Sequence, residues 1–285
     1  MSINPSDLLS TTPRDLIGVQ ERLEALSPDP WRWTGAGTKV GAVFVAFLRG
    51  SSGPGATGDR CWAAAVVIAN GQLVVARVMG GHAGAAYEPG MLFLRVGLPI
   101  LEAVRQLPEQ PDLLLINATG RDHPRGAGLA VHLGALLDVP TIGVTHRPLV
   151  ATGDWPADER DASSPLVLNG DVVGYGLRTR ARTRPLAIHA GWRTDPATAL
   201  EVAKACAGPS RTPEPLRVAA NTLALHGQRK SARLRLEKAR ERSLDRVRRS
   251  RPARSPRSSS VGRQRLLSVP KRSTREATPD DQLTG

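Results

Sequence analysis

The chain has 285 residues and a formal net charge of +13, from 39 basic and 26 acidic side chains. This length is enough for one α/β domain with a large core. No apolar run reaches roughly 18 residues, and the start has no basic segment followed by an apolar one, so we expect no transmembrane helix and no signal peptide. The two cysteines form no disulfide framework or metal motif, which favours a cytoplasmic protein.

The positive charge is concentrated at one end of the chain. Residues 229–285 hold 18 Lys and Arg against 6 Asp and Glu, whereas residues 1–228 hold 21 against 20. We predict a near-neutral domain over 1–228 and a basic Arg/Ser/Pro-rich tail over 229–285, helical at its start and then disordered. Such a tail can bind phosphate backbones without sequence preference. The alternatives are a solubilising extension without a partner or an out-of-frame continuation of the gene.

The elements predicted in the first half are strands joined as hairpins, followed by a helix. A buried strand is expected over 40–48. The runs 61–69 and 72–78 form a hairpin, because Asn70-Gly71 suits a two-residue turn. A helix begins near Gly90 and continues to residue 106.

The second half predicts strands alternating with helices. Short apolar runs at 113–116 and 141–144 flank a helix at 128–137, which is typical of parallel buried strands. The remaining predicted elements are a hairpin of 165–168 with 172–177, a strand at 186–190, and closing helices at 196–207 and 213–225. Together these elements predict an α/β fold, a ribonuclease H-like mixed β-sheet flanked by helices.

The most informative polar residues follow the strand at 113–116. Asn117 and Gly120 lie in a small-residue loop, and the polar run 121–125 comes next. Active sites form at the carboxyl ends of parallel strands. Arg125 can contact a phosphate there, or the run can be a loop ion pair with a buried His123 that fixes the turn; both interpretations stay open.

This segment resembles the endonuclease V family, metal-dependent nucleases that act on deaminated, inosine-type bases in DNA or RNA. The resemblance covers roughly residues 13–221. Its motifs here are Tyr87-Glu88-Pro89-Gly90, His123-Pro124-Arg125, Leu129-Ala130, His132-Leu133-Gly134, Val139 to Val144, Val173 to Arg180 and Pro213-Glu214-Pro215. Several ordered and well-separated matches identify the chain as a member.

The resemblance also implies where the chemistry should lie. The family's metal-binding acids correspond to Phe44, Val96 and Asn117, its lysine to His146 and its catalytic histidine to Trp192. Magnesium prefers anionic oxygen ligands, and two-metal hydrolysis needs several of them. We therefore predict a catalytically degenerate pseudoenzyme without catalytic or metal-binding residues, in which apolar side chains fill the former metal cavity. No cofactor is expected; Mg²⁺ is implied only if the family activity persists.

Nucleic-acid contact is predicted at two further places. The Tyr87 segment resembles the family's wedge, where a ring on a rigid turn can stack on a base, although an ordinary turn with a half-buried tyrosine is the alternative. Arginines at 178, 180, 182 and 184 would form a basic stripe if the strand continues, or a charged hairpin edge. The predicted nucleic-acid-binding residues are Tyr87, Pro89, Gly90, Gly120, His123, Arg125, Arg178 and Arg180.

Three functions remain open. The first is a nucleic-acid-binding family member without catalysis. The second is an active endonuclease in DNA repair with rearranged ligands, for which Glu88, Asp122 and Asp195 are the only close acids. The third is a structural or regulatory protein that keeps only the fold. A replacement zinc site from His123, His132 and His146 with Asp122 has only their proximity in sequence in its favour. DNA or RNA is the expected partner, with a monomer and no membrane contact.

Overall fold

The computed structural model describes residues 4–48 and 54–227. Within them, eight strands form one sheet: β1 Val40–Phe47, β2 Arg60–Ala69, β3 Gln72–His82, β4 Leu113–Ile116, β5 Thr141–Thr145, β6 Ser163–Leu168, β7 Asp171–Leu177 and β8 Leu186–Ala190. The strand order is β3-β2-β1-β4-β5-β8-β7-β6. The predicted mixed sheet is confirmed.

Helices cover both faces of the sheet. They are α1 Pro13–Glu24, α2 Leu92–Arg105, α3 Leu129–Leu137 and α4 Pro196–Ala205, with a 3-10 turn at Pro5–Leu8 and a last helix, α5, over residues 214–227. Local sequence explains where two of them start. Thr12 caps α1 by accepting a hydrogen bond from the Asp15 backbone N–H, and the Asp195 carboxylate caps α4 in the same way, each with proline in the first turn.

Strand direction creates one edge of particular interest. β4 runs parallel to β1 and β5, whereas the other neighbouring pairs are antiparallel. Strands β1, β4 and β5 therefore end on the same side, and β8 begins there because Ala187 pairs with Thr145. We call this side of the sheet the carboxyl edge.

Alternating side chains divide the apolar residues between two cores. On β4, Leu114 and Ile116 join the core beneath α1, α2 and α3, whereas Leu113 and Leu115 join the core beneath α4 and α5. All four are at most 1% exposed. Burying each such side chain stabilises the fold by roughly 1.5–3 kcal/mol, so this short strand contributes to both cores.

Both predicted hairpins are present. Asn70 and Gly71 have φ of 51° and 72°, and Asn169 and Gly170 have φ of 52° and 92°. Two consecutive left-handed residues define the type I′ turn that matches the twist of the flanking strands. Strand β3 continues to His82, four residues beyond its predicted end.

The predicted arginine stripe is wrong. Strand β7 ends at Leu177, and residues 178–185 form a turn-rich connection to β8. Arg182 has a φ of 60°, which breaks the alternation that would place the arginines on one face.

The predicted basic tail over 229–285 lies outside the described residues. Among those described, no helix is long and apolar enough to cross a membrane.

Candidate nucleic-acid interface

Two of the family's metal-ligand positions meet at the carboxyl edge. Val43 on β1 pairs with Ile116 on β4, so Phe44 and Asn117 are the next residues in the parallel register. The Phe44 ring is half-buried against the core beneath α4, and Asn117 is exposed just after its strand. The structure thus places a phenylalanine and an asparagine directly after the last paired residues of β1 and β4, where the resemblance implies two acids.

Val96 and Trp192 do not join them. Val96 is buried on α2, in the core on the opposite face of the sheet from Phe44. Trp192 lies at the opposite edge, where its backbone O accepts a hydrogen bond from Thr141 N (2.9 Å) at the start of β5. The expectation that Phe44, Val96 and Trp192 fill one former metal cavity is therefore wrong, because strand alternation and strand direction separate them.

The residues present do not fit a divalent metal. In the described ranges, no group of three or more His, Cys, Asp or Glu is placed to hold a metal ion. At the carboxyl edge Asn117 offers one neutral carbonyl and Phe44 offers no ligand, whereas Mg²⁺ prefers anionic oxygens. The replacement zinc site considered from His123, His132, His146 and Asp122 is therefore not formed within the described ranges.

Asp122 holds the backbone that follows β5. Its buried carboxylate accepts hydrogen bonds from the backbone N–H groups of residues 149–151 at 2.7, 2.9 and 2.7 Å. His189 Nδ1 lies 3.4 Å from Asp122 Oδ2, and its Nε2 is 2.8 Å from Thr145 Oγ1. Burial lowers the pKa of His189, with the Asp122 carboxylate opposing. Asp122 therefore has a structural role and is not available as a rearranged metal ligand.

The sequence interpretation missed His189. It is a single histidine in the apolar strand β8, and its partners are 44 and 67 positions away in sequence, so no local spacing reveals the contact. The only signal available was a polar residue at a fully buried strand position, which requires a partner from elsewhere.

His132 also has a structural role. Its Nε2 donates a hydrogen bond to Leu8 O at 2.7 Å, and its ring stacks on Phe93 with centroids 3.7 Å apart. Burial lowers the pKa of His132 to about 4, so the ring is neutral near pH 7. The histidine fastens the N-terminal turn to α3.

The wedge loop (residues 87–90) is held by its last carbonyl. Gly90 O accepts hydrogen bonds from Gln20 Nε2 (3.0 Å), His123 Nε2 (3.1 Å) and Arg125 Nη2 (3.3 Å). Gly90 has a φ of 80°, which disfavours other residues. Tyr87 is 49% exposed. A rigid turn that presents an exposed ring is the geometry that base stacking requires.

His123 is buried rather than exposed to a ligand. It is 2% exposed, and its Nδ1 accepts a hydrogen bond from the Arg125 backbone N–H at 3.2 Å. Burial lowers the pKa of His123 to about 4, and the nearby Arg125 cation acts in the same direction. Of the two open interpretations, the buried histidine that fixes the turn is the one the structure supports.

Gly120 is also inaccessible. It is buried, and a Cβ added there would lie 2.0 Å from Ala190 O. Arg121 N donates to the same carbonyl at 2.8 Å. Glycine is required here by the close approach of two backbones, and the prediction that Gly120 contacts nucleic acid does not fit this burial.

Arg125 keeps partial access to solvent. Its Nε donates to Gln20 Oε1 at 2.6 Å, and the side chain lines a groove of about 730 Å³. Arg121 and Arg193 line the same groove, together with Glu21 and Glu24 of α1. The groove is mixed in charge, so Arg125 is a candidate contact beside the wedge loop rather than part of a basic channel.

The two predicted arginines after β7 differ from one another. Arg178 is half-buried, and its guanidinium donates to Ala157 O (2.6 Å), Pro156 O (3.0 Å) and the Thr183 carbonyl. Arg180 is exposed. Arg178 therefore has a structural role, and Arg180 is available to a ligand.

Comparison with known proteins agrees with this fold. The Endonuclease V family model matches residues 36–221. An endonuclease V from Methanopyrus kandleri is 42% identical over 164 residues, which are 57% of this chain and 71% of that protein. The crystal structure of endonuclease V from Streptomyces avermitilis has a TM-score of 0.68 and 30% identity, covering 78% of this chain and 95% of that one.

A third similarity concerns the fold alone. Endonuclease V from Ciona intestinalis, in complex with a 23mer DNA that contains an inosine followed by a ribo-adenosine, has a TM-score of 0.62 and 18% identity. The structural match covers 77% of this chain and 99% of the Ciona intestinalis chain. The fold is that of solved endonucleases. The chain belongs to the endonuclease V family.

Proposed function

We propose that this chain is a catalytically degenerate endonuclease V-family protein that retains nucleic-acid binding. The observation that carries the proposal is the pair at the carboxyl edge, where Phe44 and Asn117 directly follow Val43 and Ile116, the last paired residues of the parallel strands β1 and β4. Two-metal hydrolysis needs carboxylates at such a place to bind the ions and activate water. A phenyl ring and an amide cannot supply them.

The region around the wedge loop supports retained nucleic-acid binding. The wedge loop is pinned by three hydrogen bonds to Gly90 O and leaves Tyr87 exposed. Arg125 and Arg180 are cations with access to solvent. The crystal structure of a family member with inosine-containing DNA agrees with this use of the fold. A cytoplasmic, monomeric state remains our prediction.

The competing function is metal-dependent cleavage at inosine. It is favoured by the 42% sequence identity between this chain and the endonuclease V of Methanopyrus kandleri. We would incubate the full chain with single- and double-stranded DNA and RNA, with and without inosine, in Mg²⁺ or Mn²⁺. We expect binding without cleavage. Asn117→Ala, purified in parallel, is the control for contaminating nuclease; because Asn117 is exposed, we expect the variant to fold as the wild type does. Cleavage by the wild type that Asn117→Ala abolishes would overturn the proposal.

The tail is tested in the same binding assay. A chain ending at Gln228 lacks a segment with a net charge of +12. If the tail binds phosphates, its removal should reduce the salt dependence of binding by about 0.7 in slope for each single-strand phosphate that the tail neutralises. If neither length binds any of these nucleic acids, the chain keeps only the fold.

A further inference from the structure

Three polar side chains form a line between β5, β8 and the loop that follows β4. Asp122 Oδ2 is 3.4 Å from His189 Nδ1, and His189 Nε2 is 2.8 Å from Thr145 Oγ1. The Thr145 hydroxyl donates in turn to Arg147 O at 2.7 Å. Asp122 and His189 are each 0% exposed, so bulk water does not reach the contact between them. We call Asp122, His189 and Thr145 the buried relay.

The hydroxyl of Thr145 limits how many of these hydrogen bonds form at once. A hydroxyl donates one proton, and here it is donated to Arg147 O. His189 Nε2 must then carry a hydrogen and donate it to Thr145 Oγ1. A neutral imidazole has a hydrogen on only one nitrogen, so Nδ1 is left with a lone pair that faces the Asp122 carboxylate. In agreement, His189 Nδ1 is a buried nitrogen without a hydrogen-bond partner of good geometry among the described residues.

The other neutral tautomer of His189 gains one contact and loses another. With the hydrogen on Nδ1, the ring donates towards Asp122, and Nε2 accepts from the Thr145 hydroxyl. Arg147 O then loses its donor, because the hydroxyl has no second proton. Only a ring with hydrogens on both nitrogens serves Asp122, Thr145 and Arg147 together. The imidazolium form is therefore the one that completes the buried relay.

Both ends of the buried relay hold the segment that follows β5. Thr145 is the last residue of β5, and its hydroxyl holds Arg147 O. The Asp122 carboxylate accepts hydrogen bonds from the backbone N–H groups of residues 149–151. A change of charge on the ring between them therefore acts on the segment 145–151 from both sides.

We propose that His189 is a proton-operated latch on the segment 145–151. The neutral ring satisfies one end of the buried relay at a time, and its second proton satisfies both ends. The backbone that follows β5, next to the carboxyl edge, is then held more tightly in acid than at neutral pH. This inference goes beyond the proposed nucleic-acid binding and does not depend on it, because it needs only the contacts of the buried relay.

The surroundings of the ring determine when the second proton binds. Its neighbours on β5 and β7 and its close contact on the preceding loop are glycines, at positions 143, 174 and 120. Burial lowers the pKa of His189, and the Asp122 carboxylate opposes this effect; the same carboxylate also acts on His123. The ring is therefore neutral near pH 7 and gains its second proton in acid. Because the pKa is lower than in the unfolded chain, this proton changes the bonds of the segment without stabilising the whole fold.

The test follows the histidine ring nitrogens of the full chain by nuclear magnetic resonance. Long-range ¹H–¹⁵N correlation is recorded from about pH 7.5 to 4.5, on both sides of the ordinary histidine pKa. We expect His189 to carry its hydrogen on Nε2 near neutral pH and to carry hydrogens on both nitrogens in acid. The amide signals of residues 149–151 should shift with the same midpoint. Circular dichroism at each pH reports whether the chain is folded.

Substitutions at Thr145 separate the latch from simple burial of a histidine. Thr145→Val removes the acceptor of Nε2, so we expect the neutral ring to carry its hydrogen on Nδ1, facing Asp122. Thr145→Ser keeps the hydroxyl and should give the wild-type tautomer. Thr152→Val is the matched control, since it makes the same chemical change at an exposed position of the following loop. These spectra are recorded near pH 7, where acid does not affect the fold.

The outcomes are distinct. A change of tautomer in Thr145→Val but not in Thr145→Ser or Thr152→Val, with coincident midpoints for His189 and residues 149–151 in the wild type, supports the latch. An unchanged tautomer in Thr145→Val overturns it. Separate midpoints in the wild type, or unfolding before His189 gains its second proton, overturn it as well. None of these results bears on whether the chain binds nucleic acid.

Discussion

The wedge loop and the carboxyl edge keep different parts of the family pattern. Around the wedge loop, Gly90, His123 and Arg125 match the family, and each one fixes a backbone segment through hydrogen bonds. At the carboxyl edge, the resemblance implies acids at the positions of Phe44 and Asn117; Phe44 packs half-buried against the core beneath α4, and Asn117 is exposed. The residues around the wedge loop thus hold backbone segments in place through hydrogen bonds, whereas the side chain of Asn117 is exposed just after its strand.

The largest expected effect is on stability. Asp122→Ala leaves three backbone N–H groups of residues 149–151 without their acceptor. Each buried donor left unpaired costs about 1–3 kcal/mol. Urea unfolding followed by circular dichroism should show this decrease, whereas Asn117→Ala should stay within about 0.5 kcal/mol of the wild type. Equal decreases in the free energy of unfolding for Asp122→Ala and Asn117→Ala would contradict the distinction between a residue that holds the backbone and an exposed one.

Acid should destabilise the protein through its buried histidines. The pKa values of His123 and His132 are about 4 when folded, below the ordinary value near 6.5. The unfolded chain therefore binds more protons between these values, and stability falls as the pH drops from about 6.5 towards 4. Each histidine contributes up to about 1.4 kcal/mol per pH unit.

This pH dependence can be assigned by substitution. His132→Leu removes one of the titrating groups and should reduce the slope of the free energy of unfolding against pH. His146→Gln, an exposed position, should change that slope much less. Urea unfolding at about pH 7, 6 and 5, across the range between the folded and unfolded pKa values, gives the slopes. If the free energy of unfolding fell with pH at the same rate in the wild type and in His132→Leu, the assignment of this pH dependence to His132 would be wrong.

A smaller effect is expected at the wedge loop. Tyr87→Ala should weaken binding of single-stranded nucleic acid by about 1–3 kcal/mol if the ring stacks on one base. Tyr87→Phe keeps the ring and should bind nearly as the wild type does. Fluorescence anisotropy with a fluorescein-labelled single-stranded oligonucleotide distinguishes them; an alanine variant that binds normally would show that this exposed ring is not used.

The smallest effect on affinity should come from Arg178. Arg178→Gln removes hydrogen bonds to Pro156 O and Ala157 O and should cost about 1 kcal/mol of stability without changing affinity. Arg180→Gln should do the opposite, lowering affinity and salt dependence and leaving stability unchanged. If Arg178→Gln lowered affinity and Arg180→Gln lowered stability, exposure would not distinguish structural from binding arginines in this protein.

Local sequence signals account for much of the fold. The Asn-Gly pairs at 70–71 and 169–170 determine two hairpin turns because asparagine and glycine tolerate positive φ. The apolar run of β4 predicts a strand buried on both faces, as observed. The family resemblance located Phe44 and Asn117, which directly follow the last paired residues of β1 and β4.

The errors have a common physical cause. The arginine stripe required the alternation to continue after Leu177, but β7 ends there and the following residues form turns. Trp192 was grouped with Phe44 because both replace family residues, although strand direction separates them. His189 contacts Asp122 and Thr145, which are far from it in sequence. Such contacts depend on strand order, which single residues do not specify.

The loop after Asn117 has a consequence for engineering. Residues 118–120 lie against β5 so closely that a Cβ on Gly143 would meet Ala118 O at 2.4 Å, and Gly120 abuts Ala190. The backbone that presents Asn117 therefore cannot shift to accommodate a new side chain. Acids installed at this position and at Phe44 would stand on a preorganised backbone, so the protein offers a rigid template for building a metal centre one ligand at a time.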